Sequence, residues 1–196
     1  GVSIARIEML NKEQMNISIK YSKLQNIEAL PTLFFEFHGS EESNKEAIKI
    51  VEELSKNNGG SDFKWADSIE KRNELWKARH EVYYSVKAQV KNGRVYSTDV
   101  CVPISKLVEC INFAETETKN MGLKSPMVGH VGDGNFHVLF AYDPSIKGEY
   151  DKIRDFSDKL INKTLELEGT ITGEHGIGLQ KKSYLLMEHS DNLPLM

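Results

Sequence analysis

Two histidines, His130 and His137, flank the run Val131-Gly132-Asp133-Gly134-Asn135-Phe136. Asp-Gly between apolar runs predicts a two-residue type I′ hairpin. With Asp133 and Gly134 as that loop, Gly132 faces Asn135, Val131 faces Phe136 and His130 faces His137. Residues directly opposite on an antiparallel pair have Cβ atoms about 4.5–5.5 Å apart and point the same way. Val131 and Phe136 then fill an apolar face, and the two imidazoles share the other. At that separation they can bind one divalent metal. The same pattern also suits a hairpin with two surface histidines and no metal.

A second constellation lies downstream in Gly169-Thr170-Ile171-Thr172-Gly173-Glu174-His175-Gly176-Ile177-Gly178. The flanking glycines allow unusual backbone angles and close approach of a ligand or another segment. Glu174 can complete a two-His-one-carboxylate set with His130 and His137, leaving coordination positions open for substrate or water. Adjacent side chains diverge in any regular backbone, so Glu174 ligates metal and His175 stays free as a base. A plain helix-entry loop with Glu174 near a helix N-terminus is the alternative. Arg79 is a third candidate. It falls on the apolar stripe of its helix with Leu75, Trp76, Val82 and Tyr83, where a guanidinium must snorkel or meet an anion. Its planar fork suits a carboxylate. Trp76 and Tyr83 read as core residues.

These groups need elements to hold them. Gly1 to Leu10 and Thr32 to His38 read as strands, and the segment after Ser40 reads as a helix ending at Asn57-Asn58-Gly59-Gly60. One long helix is expected from Ser68 to Val90, then a strand from Arg94 to Val102 closed by Pro103. Ser105 caps the next helix, which ends near Gly122. Ser125 to Tyr142 gives two strands around a tight turn. Tyr150 to Glu168 gives a helix with Ile153, Phe156, Leu160, Thr164 and Leu167 on one stripe, stopped by Gly169. Alternating strands and helices of this order predict an α+β fold, a mostly antiparallel sheet with helices packed on one face. A doubly wound parallel sheet is disfavoured because no strand runs into a Gly-rich phosphate loop.

Hydrophobic residues make up 39% of the chain and charged residues 28%, which excludes a disordered, collagen-like or membrane-spanning chain. A net charge of -4 argues against a nucleic-acid partner. Two cysteines, Cys101 and Cys110, make no disulfide framework and fit a reducing compartment. The chain opens at Gly1-Val2-Ser3-Ile4 without an initiator Met or targeting segment, and closes on Leu193-Pro194-Leu195-Met196 without a visible cap. It reads as part of a longer protein.

Several segments together resemble the C-terminal substrate or cap domain of the FAD-linked D-2-hydroxyacid dehydrogenases. They are Ala5-Arg6-Ile7-Glu8, Leu33 to Ser40, Trp76-Lys77-Ala78-Arg79-His80, Tyr96 to Ser105, Gly129 to His137 and Thr172 to Gly178. The Tyr96 to Ser105 run resembles the mitochondrial D-lactate dehydrogenase (cytochrome) branch most. The 2-hydroxyglutarate relatives carry a lysine where this chain has Ser97, which favours a short-chain acid.

The resemblance implies a ferredoxin-like cap domain over residues 1–196, in an enzyme whose FAD-binding domain lies N-terminal to this region. It implies that His130, His137 and Glu174 hold a divalent metal (Zn or Mn), that His175 is the catalytic base, and that Arg79 and Asn135 contact substrate. Hydride from a small 2-hydroxyacid passes to FAD and electrons continue to cytochrome c or another acceptor, in the mitochondrion. The isolated chain would then be inactive, with its metal face open, Trp76 or Tyr83 nearby, and Gly173 to Gly178 mobile. A stand-alone metal- or ligand-binding module and a metal-dependent hydrolase are the other readings the residues allow.

Overall fold

A computed structural model describes residues 2–189 except 26, 62 and 67, and omits the side chains of 71, 74 and 75. The expectations for Leu75 and for the uncapped end at Leu193 to Met196 lie outside the described residues. Among the described residues six strands form one antiparallel sheet: β1 (Arg6–Leu10), β2 (Thr32–Glu36), β3 (Arg94–Ser97), β4 (Val100–Cys101), β5 (Met127–His130) and β6 (Asn135–Tyr142). Their order is β2-β1-β5-β6-β3, with β4 also on β6. The helices are α1 (Lys12–Ser22), α2 (Glu41–Asn57), α3 (Ile69–His80), α4 (Val82–Lys87), α5 (Ile104–Asn120), α6 (Glu149–Glu166) and α7 (Lys182–His189). None of them is long and apolar enough to cross a membrane.

The main core lies between the sheet and α5 and α6, where Phe136, Val138 and Phe140 of β6 meet Leu107, Cys110, Phe156 and Leu160. This is the expected helical layer of the α+β arrangement. Strand alternation sends Leu139 and its β5 neighbour Val128 to the opposite face, where they pack with Leu10, Met15, Val82 and Val86. A second set of helices, α1 and α4, therefore covers that face as well. Asn11 fastens α1 to the sheet: its side-chain oxygen accepts from Gln14 N and from Met127 N, each at 3.0 Å. One residue thus caps the helix and orders the start of β5.

Several local expectations are corrected. The helix from Ser68 to Val90 is two helices, broken at Glu81 (φ −92°, ψ 6°), whose carboxylate accepts from the Ser22 hydroxyl of α1. After the break, Val82 and Val86 are buried but Tyr83 is half exposed and edge-on to Tyr84, so Tyr83 is not core. The strand from Arg94 to Val102 is interrupted at Thr98-Asp99. Thr98 Oγ1, not a ladder carbonyl, accepts from Val138 N at 2.8 Å. Helix α5 has Pro103, not Ser105, at its N-cap, and the Pro103 carbonyl accepts from Lys106 N at 2.7 Å. Helix α6 ends at Glu166, two residues before the expected Glu168, and Glu168 itself takes the left-handed backbone ahead of Gly169. Gly169 is small for a different reason: a Cβ there would collide with the Cys101 carbonyl. Helix α7 was not expected, because a single residue, Tyr184, is buried along it and no apolar stripe announces it.

Candidate metal and substrate site

The hairpin that carries both histidines has a register two residues away from the expected one. His130 pairs with Asn135, and His137 pairs with Val128. The loop therefore spans Val131 to Gly134, and the predicted His130–His137 pairing does not occur. The cause is Gly129, which sits opposite Phe136; a Cβ on it would come within 2.7 Å of the Phe136 Cβ. A bulky core ring opposite glycine packs well, whereas the two-residue turn would put Val131 there. A shift of two preserves the face. His130 and His137 remain diagonal neighbours on one side, ring centroids 6.0 Å apart.

Each imidazole is oriented by its other nitrogen. His137 is buried, and its Nδ1 lies 2.9 Å from the Thr98 carbonyl, an acceptor only, so Nδ1 carries the proton. The interruption between β3 and β4 is what frees that carbonyl. His130 Nδ1 lies 2.7 Å from Glu8 Oε1. His137 Nε2 is left as a lone pair, and the Nε2 atoms of both rings approach Glu174 Oε1, His137 at 2.9 Å and His130 at 3.2 Å. The ligand-capable atoms of these three residues all lie within 4.8 Å of one another. His137 Nε2 is buried with no hydrogen-bond donor. A lone pair set against a carboxylate oxygen is repulsive unless a cation sits between them, and a carbonyl or carboxylate accepting from Nδ1 is the usual support of a metal-binding histidine. The residues fit a divalent metal.

The loop bearing Glu174 and His175 is gathered around Asp99. The Asp99 carboxylate accepts from Gly173 N at 3.0 Å, Glu174 N at 3.2 Å, His175 N at 2.9 Å and the Thr172 hydroxyl at 2.7 Å. Asn135 Nδ2 donates to it at 2.9 Å. Lys181 Nζ bridges the Asp99 and Ile171 carbonyls at 2.8 and 2.7 Å. These bonds tie the first half of the Gly173 to Gly178 segment to Asp99. The His175 ring lies parallel to that of His137, 4.8 Å between centroids, with Nε2 3.6 Å from Glu174 Oε1. Asp99, His137 and His175 form a second close trio, but the Asp99 oxygens are already occupied by donors.

Arg79 meets an anion from its own chain. Its Nε donates to Glu8 Oε2 at 2.9 Å, and Nη2 lies 3.5 Å from His130 Nε2. Glu8 is therefore a buried carboxylate joining the arginine to the histidine. Burial opposes its charge, but the His130 and Arg79 bonds outweigh burial and hold it below the usual carboxylate range. The bond to Glu8 raises the His130 imidazole in turn, against burial, while burial pushes His137 down. Burial likewise opposes the Asp99 charge, yet the His175 N–H, Thr172, Asn135 and Lys181 keep its carboxyl well below the usual range. Asn135 is buried, with its amide nitrogen spent on Asp99 and on the Val100 carbonyl at 2.9 Å. Only its Oδ1 lacks a partner. Trp76 is buried against Phe34 and lies beneath Arg6.

Glu8, Thr98, Asp99 and Lys181 complete the site; the first three lie in segments that carry the family resemblance, but none is a site candidate by sequence. Glu8 leaves a trace there, as a carboxylate between Ile7 and Met9 in an apolar strand. The polar run Ser97-Thr98-Asp99 also leaves one, interrupting Val95-Tyr96 and Val100-Cys101.

The whole chain, residues 1–196, matches the family model described as FAD linked oxidases, C-terminal domain. It is 44% identical over 96% of its length to a probable mitochondrial D-lactate dehydrogenase of Danio rerio, covering 38% of that protein. It is 35% identical over 96% of its length to the mitochondrial D-lactate dehydrogenase [cytochrome] of Arabidopsis thaliana, covering 33% of it. With the glycolate oxidase subunit GlcD of Bacillus subtilis the identity is 28% over 94% of this chain and 39% of that protein. The chain spans between a third and two fifths of the length of these curated relatives. With a matching model from end to end and such relatives, the chain belongs to the FAD linked oxidases, as their C-terminal domain.

Proposed function

We propose that residues 1–196 are the substrate- and metal-binding domain of a longer mitochondrial flavoprotein. In this reading it oxidises D-lactate, or a similarly short D-2-hydroxyacid, to the 2-oxoacid, and electrons pass on to a cytochrome. The relatives named above, mitochondrial D-lactate dehydrogenases and a glycolate oxidase subunit, support that substrate class and do not favour a hydrolase. The observation that carries the reading is the approach of two imidazole Nε2 atoms and one carboxylate oxygen to a common point.

His130, His137 and Glu174 would hold the divalent metal, Zn or Mn, whose charge lowers the cost of ionising a hydroxyl. FAD, the cofactor of the family, supplies the hydride acceptor that no side chain can replace. The chain's own residues do the rest. Arg79 offers the substrate carboxylate the guanidinium nitrogens that Glu8 does not use. Glu8 keeps that fork beside His130, so acid and hydroxyl are addressed from adjoining positions. His175 accepts the hydroxyl proton on its imidazole, and stacking on His137 holds the ring over the site. Asn135 reaches substrate only through Oδ1 and otherwise braces Asp99.

The test uses the full-length protein that contains this chain. D-lactate added without oxygen should bleach the flavin absorbance. Chelation should abolish bleaching, Zn or Mn should restore it, and His137→Ala should retain FAD but not metal. The isolated chain should oxidise nothing. Bleaching that survives both chelation and His137→Ala would overturn the metal-centred reading.

A further inference from the structure

Glu174 and His175 have adjacent positions but separate tasks, and apart from the stacking of His175 on His137 and the approach of Glu174 to the two Nε2 atoms, neither side chain is enclosed by packing. Glu174 is 47% exposed and His175 50%. Nor does regular secondary structure hold them, since Thr172 to Ile177 belongs to no helix or strand. What fixes them is their backbone. Three successive N–H groups, of Gly173, Glu174 and His175, converge on the one carboxylate of Asp99, and the Thr172 hydroxyl joins them. Such a run of amides is an anion nest, and here the anion comes from the same chain. Asp99 is fully buried between β3 and β4, so the nest is anchored to the sheet that also bears His137.

Resting on the metal and substrate reading above, we propose that Asp99 is a positioning residue for both Glu174 and His175. It touches neither substrate nor metal. By holding three amides it sets where the Glu174 carboxylate and the His175 imidazole stand relative to His130 and His137. An acceptor-only group is required there, because both oxygens accept: an asparagine would set its NH2 against the loop amides in one orientation and against Asn135 Nδ2 and Glu174 N in the other, donor against donor. The requirement extends to Gly173. A Cβ at that position would overlap the Asn135 amide and lie 3.0 Å from Asp99 Oδ1, lifting the loop off its anchor while leaving the Asp99 charge in place.

The experiment compares full-length wild type, Asp99→Asn, Gly173→Ala and Thr172→Val, all with flavin bound. Mn2+ affinity, read by electron paramagnetic resonance, should fall by about 10–100-fold in Asp99→Asn and Gly173→Ala, as for loss of support behind a ligand. It should fall least in Thr172→Val. At saturating Mn2+, kcat for D-lactate should still fall in the first two, with KM nearly unchanged, because His175 is displaced while Arg79 is not. Gly173→Ala keeps the buried charge and reports even if Asp99→Asn does not fold. Wild-type Mn2+ affinity in both Asp99→Asn and Gly173→Ala, or in Gly173→Ala alone where Asp99→Asn does not fold, would overturn the inference and leave the metal site standing. A wild type that binds no Mn2+ overturns the metal reading, and this inference with it.

Discussion

The two faces of β6 are built on different principles. On one, Phe136, Val138 and Phe140 are sealed against α5 and α6, held by contacts that are many, weak and non-directional. On the other, Asn135 and His137 meet named partners, Asp99, the Val100 and Thr98 carbonyls and Glu174. That second face turns apolar again at Leu139, so the polar stretch is confined to the hairpin end. One face makes the strand stable, and the other keeps donors and lone pairs aimed. Substitutions on the first should read out as stability and on the second as binding or turnover.

The largest expected break in this comparison comes from the loop over the polar face. His175→Ala should lower turnover by roughly two to four orders of magnitude, the range for loss of a general base. Metal content should be retained, because His130, His137 and Glu174 are untouched. Equal losses in KM and turnover, with metal gone, would assign His175 to folding instead.

Phe136→Ala tests the apolar face. It should destabilise the domain by about 3–5 kcal/mol, seen in a denaturant titration, while the molecules that remain folded bind metal as wild type does. A variant of normal stability that lost metal would mean the two faces are not separable.

Arg79→Lys should have a smaller effect, about a tenfold rise in KM for D-lactate with turnover nearly unchanged, since charge remains while the fork is lost. A fall in metal affinity of the same size would show that Arg79 acts through Glu8 and His130 and not on substrate.

The smallest effect is a pH dependence of the metal-free form. The His130 imidazole is raised by its bond to Glu8, so its contribution is fully present below the unfolded value of about 6.5 and is lost as pH rises through the folded one. Thermal scans of metal-stripped protein should show wild type losing stability above that pH relative to Glu8→Gln. Parallel profiles would sever the Glu8–His130 link.

Much of this was legible in the chain, for reasons particular residues make plain. The stripe of α6, the strands β1 and β2, and the start of α2 at Ser40, whose hydroxyl accepts from Ser43 N at 3.2 Å, depend on local periodicity and capping. Residue type and glycine spacing mark His130, His137 and Glu174, and the three meet in space although the hairpin register differs by two from the one the Asp-Gly turn predicts. That error was harmless because strand side chains repeat with period two; a slip of one would have separated the imidazoles. The α3–α4 break at Glu81 is not legible, since no glycine or proline marks it and Glu81 meets its partner Ser22 from 59 positions away.

By itself the sequence determined the α+β class, the shared face of the two histidines and the glycine-flanked Glu174-His175, because short-range periodicity and backbone sterics dictate these. Tertiary structure alone decided what holds them. Glu8 lies 122 residues from His130, and Asp99 lies 76 from His175. A buried carboxylate is tolerated only where donors surround it, and which donors converge on it depends on how distant strands and loops are brought together, a matter of sheet order and packing that no local pattern encodes.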